Sequence, residues 1–285
     1  MTATILDGKK IAKNKKMAIK EKVEALANKG IVPGLAVILV GEDPASQTYV
    51  RSKQKACKEV GIYSELIELP ESASEQTLLV EIDRLNNDND IDGILVQLPL
   101  PKQIREREVI ERISPQKDVD GFHPINIGKM MIGEETFLPC TPFGILEMLK
   151  ETKINLEGKH VVVIGRSNIV GKPVGQLLLN KNATVTYCHS KTRNLRELTT
   201  KADVLIVAVG RDRIIKADDV KQDAIVIDVG INRVDGKLYG DVDFENVKNV
   251  VSYITPVPGG VGPMTITMLL ENTIQSAMRR GLLSC

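Results

Sequence analysis

The chain has 285 residues, of which 42% are hydrophobic and 26% charged, so it is a typical globular sequence, long enough for one large domain or two ordinary ones. Its 38 basic and 37 acidic residues leave a net charge of +1, which excludes the basic surface expected of a protein that binds nucleic acid or anionic membrane. Aromatic residues make up 3% and tryptophan is absent, so a base-stacking surface is excluded as well.

The first half of the chain alternates amphipathic helices with short apolar strands. Helices are predicted at residues 9–29, 44–60 and 74–86, and strands at residues 35–40, 65–69 and 91–98. Gly30 and Gly61 end the first two helices, and Ser74 is a candidate cap for the third. This alternation indicates a parallel sheet with helices on both of its faces.

The second half repeats the alternation. Thr141-Pro142 places a capping hydroxyl and a proline at the start of a helix that runs to Lys150. Strands are predicted at residues 160–164, 184–187, 204–209 and 224–229, and helices at residues 171–180 and about 263–280. We expect two α/β domains: an N-terminal domain of residues 1–139 plus 265–285, and a Rossmann-like, doubly wound domain of residues 140–264, with a cleft between them.

The cysteines and histidines are scattered and form no CxxC pair, HExxH motif or mixed cluster. They are Cys57, Cys140, Cys188 and Cys285, and His123, His160 and His189. We therefore expect free or buried thiols in a reducing compartment, and no metal site. The N-terminus lacks the basic start and apolar core of a signal peptide, and no apolar run approaches the ~18 residues of a membrane span. These features predict a cytoplasmic protein without a membrane segment.

A glycine-rich turn follows the predicted strand at 160–164. Gly165-Arg166-Ser167 lies between this strand and a helix that begins at Gly171, which is the context of a dinucleotide phosphate site. Glycine permits close approach of the backbone to a pyrophosphate, and the N-terminus of a helix supplies N–H donors. The spacing is not GxGxxG, so an ordinary tight turn between strand and helix remains an alternative.

The tip of the next strand favours NADP over NAD. An NAD site usually carries an acidic residue there for the ribose 2′-hydroxyl, but this sequence has Ser190 and Lys191. Ser190 can donate to a 2′-phosphate, and Arg166 can pair with it through two N–H groups, with Arg193 adding positive charge. The alternative for Arg166 is an ordinary solvated surface charge.

Lys53 is the first candidate for chemistry. Tyr49, Lys53, Ala56 and Val60 share one face of the predicted helix at 44–60. A lysine that is partly removed from water has a lowered pKa and exchanges protons near neutral pH. The alternative is a lysine whose stem covers apolar neighbours while its ammonium stays in water. Other basic residues lie nearby on the same helix, so the local sequence favours this second interpretation.

Gln97 and Asp120 are the other candidates. Gln97 ends the apolar strand at 91–98, and ligands of open α/β sheets bind at the carboxyl ends of strands. A buried glutamine there needs a hydrogen-bond partner, whereas a solvent-facing one does not. Asp120 precedes Gly121, which by itself is typical of an ordinary turn.

Several short motifs in the chain, taken together, resemble those of the bifunctional methylenetetrahydrofolate dehydrogenase/cyclohydrolases. They are Tyr49-Val50-Arg51-Ser52-Lys53, Val96-Gln97-Leu98-Pro99-Leu100-Pro101, Lys117-Asp118-Val119-Asp120-Gly121-Phe122, Pro139-Cys140-Thr141-Pro142, Gly165-Arg166-Ser167 and the run from Pro256 to Thr265. The motifs occur in the family's order and span nearly the whole chain. Each is too short to be specific alone, but together they identify the family.

The resemblance implies a cytoplasmic homodimer of one-carbon metabolism that serves purine biosynthesis. Such an enzyme oxidises 5,10-methylenetetrahydrofolate with NADP and then hydrolyses the product to 10-formyltetrahydrofolate. Its N-terminal domain is the catalytic domain, and its partners are tetrahydrofolate derivatives. Two alternatives use the same scaffold: a shikimate-type dehydrogenase, and a non-catalytic NADP-binding regulator.

The resemblance also implies roles for individual residues. Lys53 handles protons in the hydrolytic step, Gln97 hydrogen-bonds it and tunes its charge, Tyr49 stacks on the folate and Asp120 anchors the pterin. The implied cofactor residues are Gly165, Arg166, Ser167, Ile169, Val170, Ser190, Gly210 and Ile231. The implied substrate residues are Tyr49, Lys53, Gln97, Leu98, Pro99, Asp120, Pro256, Gly259, Gly260, Pro263 and Thr265.

Overall fold

The computed structural model describes residues 2–283 as helices and short strands in alternation. The helices are α1 (Gly8–Ala27), α2 (Pro44–Val60), α3 (Glu75–Asn87), α4 (Glu106–Arg112), α5 (Pro124–Ile132), α6 (Cys140–Glu151), α7 (Gly171–Leu179), α8 (Leu195–Thr199), α9 (Phe244–Val247) and α10 (Val261–Leu283). The strands are β1 (Thr4–Ile5), β2 (Gly34–Val40), β3 (Tyr63–Leu69), β4 (Gly93–Val96), β5 (His160–Ile164), β6 (Thr184–Cys188), β7 (Val204–Val207), β8 (Ile225–Asp228), β9 (Asn232–Val234), β10 (Lys237–Tyr239) and β11 (Tyr253–Ile254).

Residues 14–140 and 266–283 form one compact unit, which we call the three-stranded unit. Its parallel sheet has the order β3-β2-β4, with β2 in the centre and buried along its whole length. Strands covered on both faces are apolar throughout, as the sequence of β2 is. Leu78, Ile82 and Leu85 of α3 pack with Ile38 of β2 in the core of this unit.

Residues 2–13 and 141–265 form the second unit, which we call the six-stranded unit. Its sheet is parallel and has the order β1-β11-β8-β7-β5-β6. The chain moves outward from β5 to β6 and then crosses to β7 on the other side of β5, which is the reversal of a doubly wound sheet. The fold class predicted from the sequence, two α/β domains with parallel sheets, is confirmed.

The N-terminus belongs to a different unit from the one expected. The ranges inferred from the sequence assigned residues 1–139 to the first domain, but β1 pairs with β11 at the edge of the six-stranded sheet. Ala3 also joins the core of that unit. A strand of two residues is too short to produce a periodic pattern, so its partner is decided by pairing alone.

The three-stranded unit also includes most of α10, from Ile266 onward. Asn272 donates to the carbonyl of Val119 at 2.8 Å, and Ser276 donates to the carbonyl of Gln116 at 2.9 Å. These contacts tie α10 to the segment between α4 and α5. The sequence suggested that the last helix returns to the first domain, and in the structure residues 266–283 pack with residues 14–140.

Local sequence explains most element boundaries. Helix α2 begins after Asp43, which accepts from the N–H of Ser46 at 2.7 Å, and it ends at Gly61, whose φ of 87° favours glycine. Strands β4, β7 and β8 are shorter than predicted because their apolar runs continue beyond the paired residues. Helices α4 and α5 and the antiparallel pair β9 and β10 were not predicted, since each is short and surrounded by polar residues.

Three of the cysteines, Cys57, Cys140 and Cys188, are free and buried, which confirms the expectation for them, whereas Cys285 lies outside the described residues. Across residues 2–283 no cluster of histidine, cysteine and acidic side chains is arranged to hold a metal ion. None of the helices described here has the length and apolarity that a bilayer crossing requires.

The central strand of the three-stranded unit gives a stability prediction. Ile38 is fully buried, so Ile38→Ala leaves a cavity and should lower the free energy of unfolding by about 2–5 kcal/mol. Val80, on the exposed side of α3, is 55% accessible, and Val80→Ala is the matched control, expected to change it by less than about 0.5 kcal/mol. Urea unfolding followed by circular dichroism measures both. Equal effects of the two substitutions would contradict this account of the core.

Candidate active site

Lys53 and Gln97 meet in the three-stranded unit. Helix α2 carries Lys53, and Gln97 directly follows β4, where its own N–H donates to the carbonyl of Ile38 at 2.9 Å. The Lys53 amine donates to Gln97 Oε1 at 2.9 Å, and Gln97 Nε2 donates to the carbonyl of Leu98 at 2.6 Å. Both ends of the glutamine amide are therefore used, and its oxygen is fixed towards the lysine.

Burial controls the charge of Lys53. Desolvation of the half-buried side chain lowers the pKa of Lys53, while the negative charge of Asp120 opposes the shift. On the same helix face Ala56 and Val60 are buried, and Tyr49 is 41% exposed at the open end of the face. The interpretation of Lys53 as an ordinary solvated surface lysine is therefore wrong.

Asp120 lies beside Lys53 in a turn. Gly121 has a φ of 77° and its N–H donates to the carbonyl of Asp118 at 3.1 Å, so this segment is also the turn that the sequence indicated. The pKa of Asp120 is raised because its carboxyl group is desolvated. The charge of the Lys53 ammonium and the hydrogen bond from the Cys140 thiol oppose this shift. Two groups whose charges influence each other in this way can hold and exchange protons.

A buried network of hydrogen bonds holds the Asp120 turn in place. The Asp118 carboxylate accepts from the N–H groups of Phe122 and His123 at 3.2 and 2.8 Å, and from Asn126 Nδ2 at 2.8 Å. Thr136 in turn donates to Asn126 Oδ1 at 2.7 Å. Burial raises the pKa of Asp118 to about 7, although the hydrogen bonds oppose this shift.

A cavity of about 20 Å³ adjoins the Asp120 turn and has room for about one water molecule. It is lined by Ile94, Val96, Leu98, Val109, Ile110, Ile113, Asp118, Asp120 and Phe122. Pro99, the other expected substrate residue in this stretch, is exposed. The three-stranded unit thus brings the side chains of Lys53, Gln97 and Asp120 together.

The Gly165 turn lies at the carboxyl edge of the six-stranded sheet. Gly165 has a φ of 126°, and a Cβ there would lie 2.3 Å from the carbonyl oxygen of Ala208. A Cβ on Gly171 would lie 2.4 Å from the carbonyl oxygen of Gly165. The turn is closed so tightly by backbone atoms that neither position accommodates a side chain, which explains why both residues are glycine.

At the start of α7, two of the N–H groups expected to be donors for a phosphate are already hydrogen-bonded within the chain. The Ser167 hydroxyl accepts from the N–H groups of Val170 and Gly171, at 3.2 Å each. These two donors at the start of α7 are therefore partnered within the turn itself. Ile169, between them and Ser167, is 40% exposed.

The remaining cofactor candidates lie at the same edge. The N–H of Gly165 donates to the carbonyl of Cys188 at 2.9 Å, so the turn adjoins the end of β6, after which exposed Ser190 follows. Exposed Arg166 belongs to the same turn. Gly210 follows β7, and Ile231 follows β8 and is 50% exposed. Carboxyl ends of parallel strands meet at one edge, so these loops converge.

The run from Pro256 to Thr265 follows β11 in the six-stranded unit. Gly259 has a φ of 104°, and a Cβ on Gly260 would lie 2.5 Å from the carbonyl oxygen of Pro256. Lys9, at the start of α1, donates its N–H to the carbonyl of Gly259 at 3.2 Å. The hydroxyls of Thr265 and Thr141 are hydrogen-bonded at 2.9 Å. Pro263 lies in the first turn of α10.

Comparison with known proteins matches the two parts of the chain to two domains of one enzyme family. Residues 6–120 match the catalytic domain of the tetrahydrofolate dehydrogenase/cyclohydrolases, and residues 139–281 match the NAD(P)-binding domain of the same enzymes. The chain belongs to the tetrahydrofolate dehydrogenase/cyclohydrolase family.

Individual members of the tetrahydrofolate dehydrogenase/cyclohydrolase family are similar over their full length. The bifunctional protein FolD of Halalkalibacterium halodurans is 71% identical, with 97% of this chain and 99% of that protein covered. The crystal structure of FolD from Campylobacter jejuni has a TM-score of 0.96 at 55% identity, covering 98% and 99% of the two chains. FolD of Trypanosoma brucei, solved with NADP cofactor and inhibitor, has a TM-score of 0.94 at 38% identity, covering 98% of each.

Sequence reasoning missed four residues of this family member that shape its candidate sites. Asp118 and Cys140 lie within motifs that were recognised, but only Asp120 was assigned a role. Asp228 and Asp241 are buried in the six-stranded unit and were not considered. Asp228 could have been found from the sequence, because it is an acidic residue at the end of the apolar strand β8. A carboxylate buried at such a position needs hydrogen-bond partners, which indicates a structural or functional role. Asp241 has no comparable signal.

The Asp118 network gives a prediction about pH. A carboxyl group with a pKa of about 7 in the folded protein, against 3.8 ordinarily, keeps its proton where the unfolded chain has lost it. Its contribution therefore makes stability fall as pH rises from about 4 to about 7, by at most about 1.4 kcal/mol per pH unit. Asp118→Asn should flatten the measured dependence of the free energy of unfolding on pH.

The exposed carboxylate of Asp90 lies in the same unit, so Asp90→Asn is the control for the change in net charge. Urea unfolding of wild type and both variants across this pH range provides the comparison. If Asp118→Asn and wild type had the same slope, Asp118 would not be the group that titrates.

Proposed function

We propose that this chain oxidises 5,10-methylenetetrahydrofolate to 5,10-methenyltetrahydrofolate with NADP and then hydrolyses the product to 10-formyltetrahydrofolate. The observation that carries the proposal is the hydrogen bond of Lys53 to Gln97 beside Asp120, in a chain whose halves match the two domains of the family. Membership of this family removes the shikimate-type alternative. A non-catalytic regulator is disfavoured because the hydrogen bond between Lys53 and Gln97 is present.

Lys53 is proposed to act as the base of the hydrolytic step. Its lowered pKa favours the neutral amine, which keeps a lone pair while one N–H donates to Gln97 Oε1. Gln97 thus orients the amine, since the other end of its amide is held by the carbonyl of Leu98. The negative charge of Asp120 opposes the lowering of the pKa of Lys53.

The chemistry of hydrolysis fits a single shuttling base. Water adds to the carbon of the methenyl cation, and the attacking water loses a proton to the Lys53 amine. The bond between this carbon and N5 then breaks, the added hydroxyl loses its proton as the formyl C=O forms, N5 takes up a proton, and the formyl group stays on N10. One water is consumed and one proton is released, so the step balances.

The folate would be held by residues near this pair. We propose that Tyr49, exposed one helical turn before Lys53, stacks on the pterin, and that the Asp120 carboxylate accepts from its polar edge. Leu98 and Pro99 follow Gln97 directly and would line the same site. Pro256, Gly259, Gly260, Pro263 and Thr265 are the proposed substrate residues of the six-stranded unit.

The residues at the edge of the six-stranded sheet fit NADP. Gly165 and Gly171 allow the turn between β5 and α7 to close tightly, and Arg166 and Ser190 follow neighbouring strand ends without an acidic residue at the tip of β6. When bound, NADP supplies the acceptor for the hydride of the methylene carbon. The chain contributes binding and orientation, with Ser167, Ile169 and Val170 shaping the turn.

We also propose that the protein is a cytoplasmic homodimer, as the family resemblance implies. The free and buried thiols of Cys57, Cys140 and Cys188 are consistent with a reducing compartment. Strand β3 forms one edge of the three-stranded sheet and is a candidate contact for a second copy.

The first prediction of this function concerns Lys53. Purified wild-type protein should convert methylenetetrahydrofolate and NADP to NADPH and 10-formyltetrahydrofolate, followed by the absorbance of NADPH and of the methenyl intermediate. Lys53→Met should reduce the hydrolysis of methenyltetrahydrofolate by about 10²–10⁴-fold because the base is lost. Lys55→Met, at an exposed lysine of the same helix, is the matched control. Undiminished ring opening in Lys53→Met would overturn the assignment.

The second prediction concerns Arg166. Arg166→Ala should weaken binding of NADP by about 10–100-fold and that of NAD far less, because only NADP carries the 2′-phosphate. Lys181→Ala removes an exposed charge before β6, at the opposite edge of the sheet, and should alter neither affinity. Titration calorimetry measures the dissociation constants of NADP and NAD for the wild type and both variants. Equal losses of NADP and NAD would exclude Arg166 as the phosphate partner.

A further inference from the structure

Two buried carboxylates lie directly behind the loops at the edge of the six-stranded sheet. Asp228 ends β8 and is 3% exposed, and Asp241 follows the β9 and β10 pair and is fully buried. The hydride and hydrolytic steps described above assign neither residue a role. Buried carboxylates are costly unless their oxygens accept several hydrogen bonds, so their partners indicate what they do.

Asp241 binds the backbone of the loop after β7. Its Oδ2 accepts from the N–H groups of Val209 and Gly210 at 2.7 and 3.0 Å, and its Oδ1 accepts from the N–H of Arg211 at 2.8 Å. Oδ1 also accepts from Asn232 Nδ2 at 2.9 Å, in the segment after β8. One carboxylate thus holds three consecutive N–H groups of one loop and a side chain of the next.

Asp228 holds Asp241 in turn. Its Oδ1 accepts from the N–H of Asp241 at 2.9 Å and from that of Gly230 at 3.0 Å, and its Oδ2 accepts from the N–H of Val242 at 2.9 Å. The backbone N–H of Asp228 donates to the Thr255 hydroxyl at 2.8 Å. We call Asp228 and Asp241 together the aspartate clamp.

Two glycines make room for the aspartate clamp. A Cβ on Gly230 would lie 2.2 Å from Asp241 Oδ1, and a Cβ on Gly240 would lie 1.8 Å from Asp228 Oδ2. Each aspartate therefore packs against the glycine of the other segment. Neither glycine has a positive φ, so the space for the carboxylates, and not the backbone conformation, excludes a side chain there.

We propose that the aspartate clamp is a positioning device for the dinucleotide, which fixes the loops that carry Gly210 and Ile231 in their binding shape. The inference rests on the proposed function and adds two positioning residues to it. Strands β7 and β8 lie on the side of β5 opposite β6, and each half of a doubly wound sheet serves one mononucleotide. The clamp therefore acts on the half of the ligand that lacks the 2′-phosphate.

Asp241→Asn tests the proposal. The amide group replaces one acceptor oxygen by a donor that faces backbone N–H groups, so the loop at 209–211 should shift. We expect the dissociation constants of NADP and NAD to rise by the same factor, about tenfold or more, in contrast to Arg166→Ala. The KM for the dinucleotide should rise with them, while hydrolysis of methenyltetrahydrofolate without dinucleotide stays within about twofold of wild type.

Two further variants keep the test decisive. Gly230→Ala retains both carboxylates but displaces that of Asp241, and it should reproduce the loss of dinucleotide affinity if Asp241→Asn fails to fold. Asp203→Asn is the matched control, because Asp203 accepts from the N–H of His160 at 2.9 Å at the opposite edge of the same sheet. It should leave dinucleotide affinity unchanged.

The outcomes separate the clamp from the proposed function. Unchanged NADP affinity in folded Asp241→Asn or Gly230→Ala, or a parallel fall of dinucleotide binding and hydrolysis, would overturn the positioning role alone. A loss confined to NADP would also overturn it, since the effect would lie at the 2′-phosphate. Wild-type protein that binds no NADP would overturn both the clamp and the proposed dehydrogenase.

Discussion

A lysine amine that is withdrawn from water needs an acceptor, and Lys53 finds it in the amide oxygen of Gln97. The contact joins a helix to the end of a neighbouring strand, so it exists only when α2 packs on the sheet with β2 at its centre. Without the acceptor, burial would leave an N–H unpaired in an apolar setting, which costs about 1–3 kcal/mol. Because the contact is made, burial can lower the pKa of Lys53 without destabilising the unit by that amount.

Buried carboxylates give both units their precise loop geometry. Asp118 gathers the N–H groups of Phe122 and His123, and so holds the turn on which Asp120 lies. Asp241 gathers the N–H groups of the loop around Gly210. A loop has no ladder of its own to satisfy its backbone, so an acceptor with two oxygens is an effective way to fix several donors at once. The two proposed sites therefore depend on carboxylates that lie behind them.

Burial has opposite consequences for the two kinds of charge in the three-stranded unit. It lowers the pKa of Lys53 and raises the pKa values of Asp118 and Asp120. Burial thus favours the neutral form of each group, the amine of the lysine and the protonated carboxyl of the aspartates. The raised pKa values of the two carboxyl groups reduce stability as pH rises, since these groups hold protons in the folded protein that the unfolded chain releases.

Strong local patterns were sufficient to predict the long elements. The ends of α2 follow from Asp43 and Gly61, which cap it, and the apolar run of β2 indicates a strand covered on both faces. Several short elements, such as β1 and α5, were missed because so few residues give only a weak periodic pattern. The placement of β1 depends on a pairing with β11 that local sequence does not encode.

The sequence by itself determined the fold class, the turn at Gly165 and, through its motifs, the family resemblance with its implied chemistry. It left the state of Lys53 open, because a helix face shows which residues are neighbours but not how much water reaches them. Only the tertiary structure decided that Gln97 lies within 2.9 Å of the amine and that Asp241 lies behind Gly210. Both contacts join residues that are distant in sequence, so they exist only once the helices, strands and loops that carry these residues have packed together in the folded chain.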